Sequence, residues 1–211
     1  MTELQRFMNS DSGHYEVGID EAGRGPLFGR VYSAAVVIPA DSESFPYGLI
    51  KDSKRFTSAS KLSTIAGEIR RHSVCHAIAW EDEAEIDRTN IRKATHKSMH
   101  RAARMVIQQM IRKGANKQPH LLIDGNDFSP LAVYDEVAGY KGVLHTCIKK
   151  GDDKLMAIAA ASILAKDERD RYIAKLCEDY PGLDERYSLS TNKGYGTQAH
   201  LAGLKRFGPS R

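Results

Sequence analysis

The sequence predicts an α/β fold: a mixed β-sheet flanked by helices, with a small helical appendage at its C-terminal end. Three observations carry that expectation. Short apolar runs of strand length alternate with longer segments of helical periodicity. Two strand-like runs near the start are separated only by a glycine-rich turn, which adds an antiparallel part to an otherwise parallel alternation. No internal repeat, low-complexity tract or linker interrupts the 211 residues, so one core is expected. The expected division is 1–180 for the sheet and its helices and 181–211 for the appendage packed on it.

The elements follow in order. YEVGID (15–20) reads as a strand, and RVYSAAVVIP (30–39) is apolar enough for a central one. Ser58 to Arg71 suits a helix with Thr57 or Ser58 as its cap. VCHAIAW (74–80) is a third strand. Ile91 to Lys113 keeps apolar residues at helical spacing until Gly114 stops it. HLLID (120–124) is a short buried strand, and GVLHTCI (142–148) another. Leu155 to Tyr180 is a second long helix, rich in alanine at first and closed by Pro181. Asp184 to Lys193 is polar and reads as loop. Thr197 caps a last helix running to Phe207.

No apolar run approaches the roughly 20 residues that span a bilayer, and MTELQRFMNSDSGHYE lacks the basic-then-apolar pattern of a signal peptide. A soluble, cytoplasmic protein is expected, monomeric by default. Cys75, Cys147 and Cys177 are odd in number and form no CxxC pair, which argues for buried thiols over a zinc ribbon or disulfide framework. Net charge is +4, a mild pointer to a polyanionic partner. No Asp or Glu occurs from Arg88 to Ile123, while Arg88, Arg92, Lys93, Lys97, Arg101, Arg104, Arg112, Lys113 and Lys117 do. That interval is either a solvated helix face or a surface for polyanions.

GIDEAGRGP (18–26) sets two adjacent carboxylates, Asp20 and Glu21, against a glycine-rich turn. Gly23-x-Gly25 is no dinucleotide loop, because Pro26 and a strand follow where a helix N-terminus is needed. No GxxxxGK[ST] occurs. Exposed acids beside a tight turn are the plain alternative. Two more acids weigh against it: Asp124 ends an apolar strand beside Gly125, and Asp152 lies between a strand and a helix beside Gly151. Strand ends of an open α/β sheet are where sites form. Converging acids need a shared proton or a cation among them. Oxygen-only ligands suit Mg²⁺ or Mn²⁺, and a turn without Cβ atoms lets backbone N–H groups approach a polyanion. Together these features point to phosphodiester hydrolysis with two metal ions.

Those residues resemble the type 2 ribonuclease H family, specifically ribonuclease HII, over about Tyr15 to Ser210. The resemblance rests on GIDEAGRGP, IKDSKRFT (50–57), IDRTNIRKA (86–94), LLIDGN (121–126), KKGDDKLMAIAAASILAKDERD (149–170) and NKGYGTQAH (192–200), in the family's order. It implies a ribonuclease H-like fold and an endonuclease that cuts RNA in RNA/DNA hybrids and in DNA duplex containing ribonucleotides. Cleavage is implied 5′ of the ribonucleotide, leaving 3′-hydroxyl and 5′-phosphate ends. Carried across, Asp20, Glu21, Asp124 and Asp152 hold Mg²⁺ or Mn²⁺, with Asp20 touching both ions. Gly23, Arg24 and Gly25 read the 2′-hydroxyl and nearby phosphates, Tyr195 tests the next sugar, and Ser53 and Lys54 meet the backbone.

The chain departs from the family pattern at Phe28, at Asp153 beside Asp152, at Asp167-Glu168 and in the 184–190 segment. Asp153 is expected to cap the following helix. No clamp-binding peptide is visible at the terminal GPSR. His72, Cys75 and His76 lack a fourth zinc ligand, and His96 and His100 are expected on a basic or solvated face. The alternatives are a ribonuclease HIII-like enzyme, a non-catalytic hybrid-binding module and, on the acids alone, a phosphomonoesterase.

Overall fold

The computed structural model describes residues 4–9, 13–41, 43–51, 59–135 and 139–210. In chain order the elements are β1 (His14–Ala22), β2 (Val31–Val37), α1 (Tyr47–Lys51), α2 (Ala59–His72), β3 (Cys75–Glu81), α3 (Glu83–Arg88) and α4 (Ile91–Arg112). Then come β4 (Gln118–Asp124), β5 (Ala132–Asp135), β6 (Gly139–Gly142), β7 (Leu144–Ile148), a single 3₁₀ turn (Gly151–Asp153), α5 (Met156–Asp179), α6 (Pro181–Tyr187), α7 (Leu189–Asn192) and α8 (Gln198–Phe207). The expected α/β class holds: five strands form a mixed sheet in the order β3-β2-β1-β4-β7, with β5 and β6 paired separately.

The strand–turn–strand start becomes the antiparallel pair β1–β2, extended antiparallel by β3. β4 and β7 add parallel strands on the other side of β1. Ile19 is level with Ile123 in that register, so Asp20 and Asp124 stand side by side at the C-terminal ends of neighbouring parallel strands. Alternation along β1 does the rest. Val17 and Ile19 face the core under α4, with Leu121 and Ile123 beside them. Gly18 and Asp20 face α5 instead.

α5 crosses that second face closely. A Cβ on Gly18 would sit 2.1 Å from the backbone carbon of Ala157 and 2.3 Å from its oxygen. The alanine run 157–165 is therefore packing, as its composition suggested, and most of it is fully buried. α2 packs on the same side and supplies Arg70, which pairs with Asp167 at 2.8 Å and Glu168 at 2.9 Å on α5. Those two acids thus tie α5 to α2. β3 is a sheet edge, and α4 covers it with polar side chains: Gln109 donates to the carbonyl of His76 at 3.0 Å, and Arg101 to that of Trp80 at 2.8 Å.

Several expectations need correction. The 184–193 segment is not loop. Pro181 both ends α5 and opens α6 at its first turn, where a missing N–H costs nothing. Tyr187 and Leu189 then bury against Ile173. Asp153 does not cap α5; it lies in the 3₁₀ turn, and the N-cap position belongs to Leu155 without a side-chain bond. α3 went unseen although Asp82 and Glu85 have capping spacing, with Asp82 accepting from the Glu85 N–H at 2.9 Å. The β5–β6 hairpin also had no readable signal. The Thr57–Ser58 cap lies outside the described residues, whereas Thr197 caps α8 as expected.

The Gly18 contact yields a paired test. Gly18→Ala forces backbone apart and should cost about 3 kcal/mol or more, roughly 6–12 °C in melting temperature. Gly67, inside α2 with nothing within 4 Å of an added Cβ, should instead gain about 0.5–1 kcal/mol on mutation to alanine. Thermal melts of the two variants should move in opposite directions.

Candidate active site

β1 delivers Asp20 to a buried position, with 5% of its surface exposed. Its Oδ1 accepts the Glu21 N–H at 2.7 Å, and Ser162 of α5 hydrogen-bonds to it as well. Burial pushes the Asp20 carboxyl well above the usual carboxylate range, Glu21 and Asp124 push it further, and the bond from Ser162 works against them. Asp124 is also raised, first by burial and then by Asp152, while N–H groups of Gly151, Asp152 and Gly125 hold it down. The Gly151 N–H reaches its Oδ1 at 2.6 Å. Glu21 is raised chiefly by burial, and Arg24, 3.5 Å away, opposes that. Three segments distant in sequence thus bring their acids into mutual electrostatic reach.

The acids line a site and do not close a cage. Among the described residues no three Asp, Glu, His or Cys side chains form a ready cation cluster. The causes are local: alternation turns Glu21 to the opposite side of β1 from Asp20, where Arg24 draws it, and Asp124 is drawn to the Gly151 N–H. Mg²⁺ keeps several waters and is held through one or two carboxylates plus substrate phosphates, so an open, all-oxygen donor set fits it.

The glycine turn lies against the Tyr195 loop. Gly23 has φ +104°, and a Cβ there would meet the Arg30 carbonyl at 2.5 Å and the Arg169 side chain at 2.7 Å. A Cβ on Gly25 would touch the Tyr195 ring at 3.3 Å. Tyr195 is half exposed, not a core ring. The Leu27 N–H donates to Gly194 at 2.9 Å. Asn192 braces the loop from inside, accepting from the Gly194 N–H and donating to the Tyr187 carbonyl.

Sequence reasoning missed Arg169. This buried side chain on α5 donates to the Phe28 carbonyl at 3.1 Å and to the Lys193 carbonyl at 2.8 Å. One guanidinium therefore ties the exit of the glycine turn to the loop carrying Tyr195. The readable clue was its place on the stripe Ala161, Ala165, Arg169, Ile173, where only a cation with polar partners could be buried. Ser162 was missed too. Ser53 and Lys54 lie outside the described residues.

Other expectations change. His96 and His100 are not on a solvated face: His96 is buried with Nδ1 on Ser129, and His100 bonds the Ser129 carbonyl. The basic interval is partly neutralised by acids outside it. Arg88 pairs with Glu85, Arg92 with Asp127, Lys97 with Glu81 and Glu85, and Arg101 with Glu81. Phe28 packs with the Ile173–Tyr187–Leu189 cluster.

The family model described as Ribonuclease HII matches residues 17–210. A ribonuclease HII of Parabacteroides distasonis is 39% identical over 198 residues, covering 94% of this chain and 87% of that protein. The solved ribonuclease H2 from Pyrococcus horikoshii OT3 aligns with a TM-score of 0.68 at 20% identity, over 93% of this chain and 90% of that one. Bst-RNase HIII in complex with Mn²⁺ aligns at 0.61 and 19% identity, over 93% of this chain and 71% of that one. At such identities the two structures speak for the fold.

The raised Asp20 carboxyl has a measurable consequence. A group whose folded-state pKa is raised gives stability that is present below the ordinary carboxylate range and lost as pH climbs through the raised value. In chelator, the parent should therefore lose stability between acidic and neutral pH. Asp20→Asn cannot ionise and should lose less. At neutral pH it should melt higher than the parent. Identical pH profiles for both would contradict the burial argument.

Proposed function

The chain belongs to the ribonuclease HII family, and on that premise we propose how its acids, its glycine turn and Tyr195 divide the work. It is a metal-dependent endoribonuclease acting on RNA in RNA/DNA hybrids. We further infer that it nicks on the 5′ side of single ribonucleotides embedded in duplex DNA, leaving 3′-hydroxyl and 5′-phosphate ends. The observation that carries this reading is Asp20 beside Asp124 on adjacent parallel strands, next to a Cβ-poor turn that touches Tyr195.

In this reading Asp20, Glu21, Asp124 and Asp152 hold Mg²⁺ or Mn²⁺. The ions, when bound, supply an activated water and charge that offsets the leaving oxygen. The chain's own residues do the positioning. Ser162 and the Glu21 N–H fix the Asp20 carboxylate, and the Gly151 N–H fixes Asp124. The backbone of Gly23, Arg24 and Gly25 approaches the ribose 2′-hydroxyl and its phosphate, the group that marks RNA at one position. Tyr195 packs on the sugar that follows and favours deoxyribose there. Ser53 and Lys54 contact the strand backbone. Base identity matters little, because the contacts are to sugar and phosphate. Residues 1–180 then form the catalytic unit, and 181–211 the appendage that carries Tyr195 to it.

A duplex with one embedded ribonucleotide tests this. The parent should nick it with Mg²⁺ or Mn²⁺ and not in chelator, and Asp20→Asn should reduce nicking to background while still binding the duplex. Binding without nicking by the parent in any metal would favour a non-catalytic module. Tyr195→Ala should lower kcat/KM at the isolated ribonucleotide roughly tenfold, about 1.4 kcal/mol, and affect a continuous hybrid less. Equal losses on both substrates would remove the sugar-testing role.

A further inference from the structure

A cavity of about 460 Å³ lies between β2, β3 and α5, lined by Arg30, Tyr32, His76, Trp80 and Glu168 among others. Arg30 dominates its chemistry. The guanidinium carbon stands 3.8 Å from the centre of the Trp80 ring and 4.5 Å from that of Tyr172. Two aromatic rings thus pack against the cation, and its N–H groups remain as the polar part. The Tyr172 hydroxyl donates to Glu83 at 2.8 Å, which fixes the second ring. Arg30 bonds the Tyr32 hydroxyl, and its Nε is buried beyond the reach of an outside anion, so the terminal N–H groups are the donors left for one. Among the described residues no carboxylate forms an ion pair with it. Glu168, the acid in the wall, is already held by Arg70 at 2.9 Å. Burial and Arg70 keep His76 below its usual range, which disfavours a second positive charge in the pocket.

This cation, without an ion-pair partner among the described residues, sits at the reaction end of the sheet. Trp80 is level with Tyr32, and Tyr32 with Ala22, two residues past Asp20. The Arg30 carbonyl lies against the Gly23 turn. We infer that Arg30, held between Trp80 and Tyr172, binds a backbone phosphate of the duplex away from the cleaved bond. A planar guanidinium packed against two rings keeps its N–H fork for partners in its own plane, the geometry that suits phosphate oxygens. The inference rests on the proposed function, since it needs a duplex seated at the turn. A free anion is the other source of the same chemistry.

The test compares the full-length parent, Arg30→Gln and Arg30→Lys on a duplex with one embedded ribonucleotide and Mg²⁺. Log kcat/KM is followed against log salt, and the duplex is shortened stepwise from either end. Arg30→Gln should raise KM with kcat unchanged and make the salt slope shallower by about one. Arg30→Lys keeps the charge and should keep most of the slope. The Gln penalty should vanish once shortening from one side removes the contacted phosphate. A parental slope in Arg30→Gln overturns the inference, and so does a penalty that persists at every length, which marks a free-anion site or an effect on the turn. Should Arg30→Gln fail to fold, Trp80→Leu serves: it should raise KM on long duplexes only, and an unchanged KM overturns the inference. A parent that nicks nothing counts against the proposed function instead, and fluorescence anisotropy on the same duplex series still decides the role of Arg30.

Discussion

The parallel pairing of β1 with β4 governs the site. Both strands are buried on two faces, so a shift of one residue in their register would swap those faces and drive Val17 or Ile19 into the space under α5 where only Gly18 fits. That register is therefore held by Val17, Ile19, Leu121 and Ile123, none of which has any chemistry of its own. Asp20 and Asp124 inherit their positions from it. The repulsion between them is imposed by hydrophobic burial, and the core is large enough to hold two acids where isolated carboxylates would not choose to be.

A second constraint is the closeness of α5 to β1. The missing side chain at Gly18 lets the helix backbone descend onto the strand, which brings Ser162 to Asp20 and Arg169 under the turn. One helix thus serves two tasks. Its first half sets the acid, and its second half joins the turn to the Tyr195 loop. The Arg70 pair with Asp167 and Glu168 fixes the same helix from the far side.

Much of this was legible in the sequence because the informative residues fall at element ends. Asp20, Asp124 and Asp152 each sit where an apolar run stops beside glycine, and periodicity located those stops. The Gly-Arg-Gly turn and Tyr195 were readable as motifs, and they meet in space. What escaped was chemistry set by neighbours distant in the chain. Arg169 looks like one more surface cation in KDERDR, and only its carbonyl partners at Phe28 and Lys193 reveal otherwise. The cations of 88–117 look unopposed until Glu81, Glu85 and Asp127 are folded against them. His96 and His100 look solvated until Phe128 and Ser129 close over them. Helices α6 and α7 were hidden because Leu183, Tyr187 and Leu189 give too few apolar positions for a periodic signal.

The Gln109 and Arg101 bonds to the β3 carbonyls bear on how molecules meet one another. An outer strand with vacant carbonyls invites a foreign strand to dock, the first step toward runaway aggregation. Here two of those acceptors are already spoken for by long polar side chains, which a newcomer would have to displace. Crowded solutions of the folded protein are thereby steered away from edge-to-edge polymerisation along this rim.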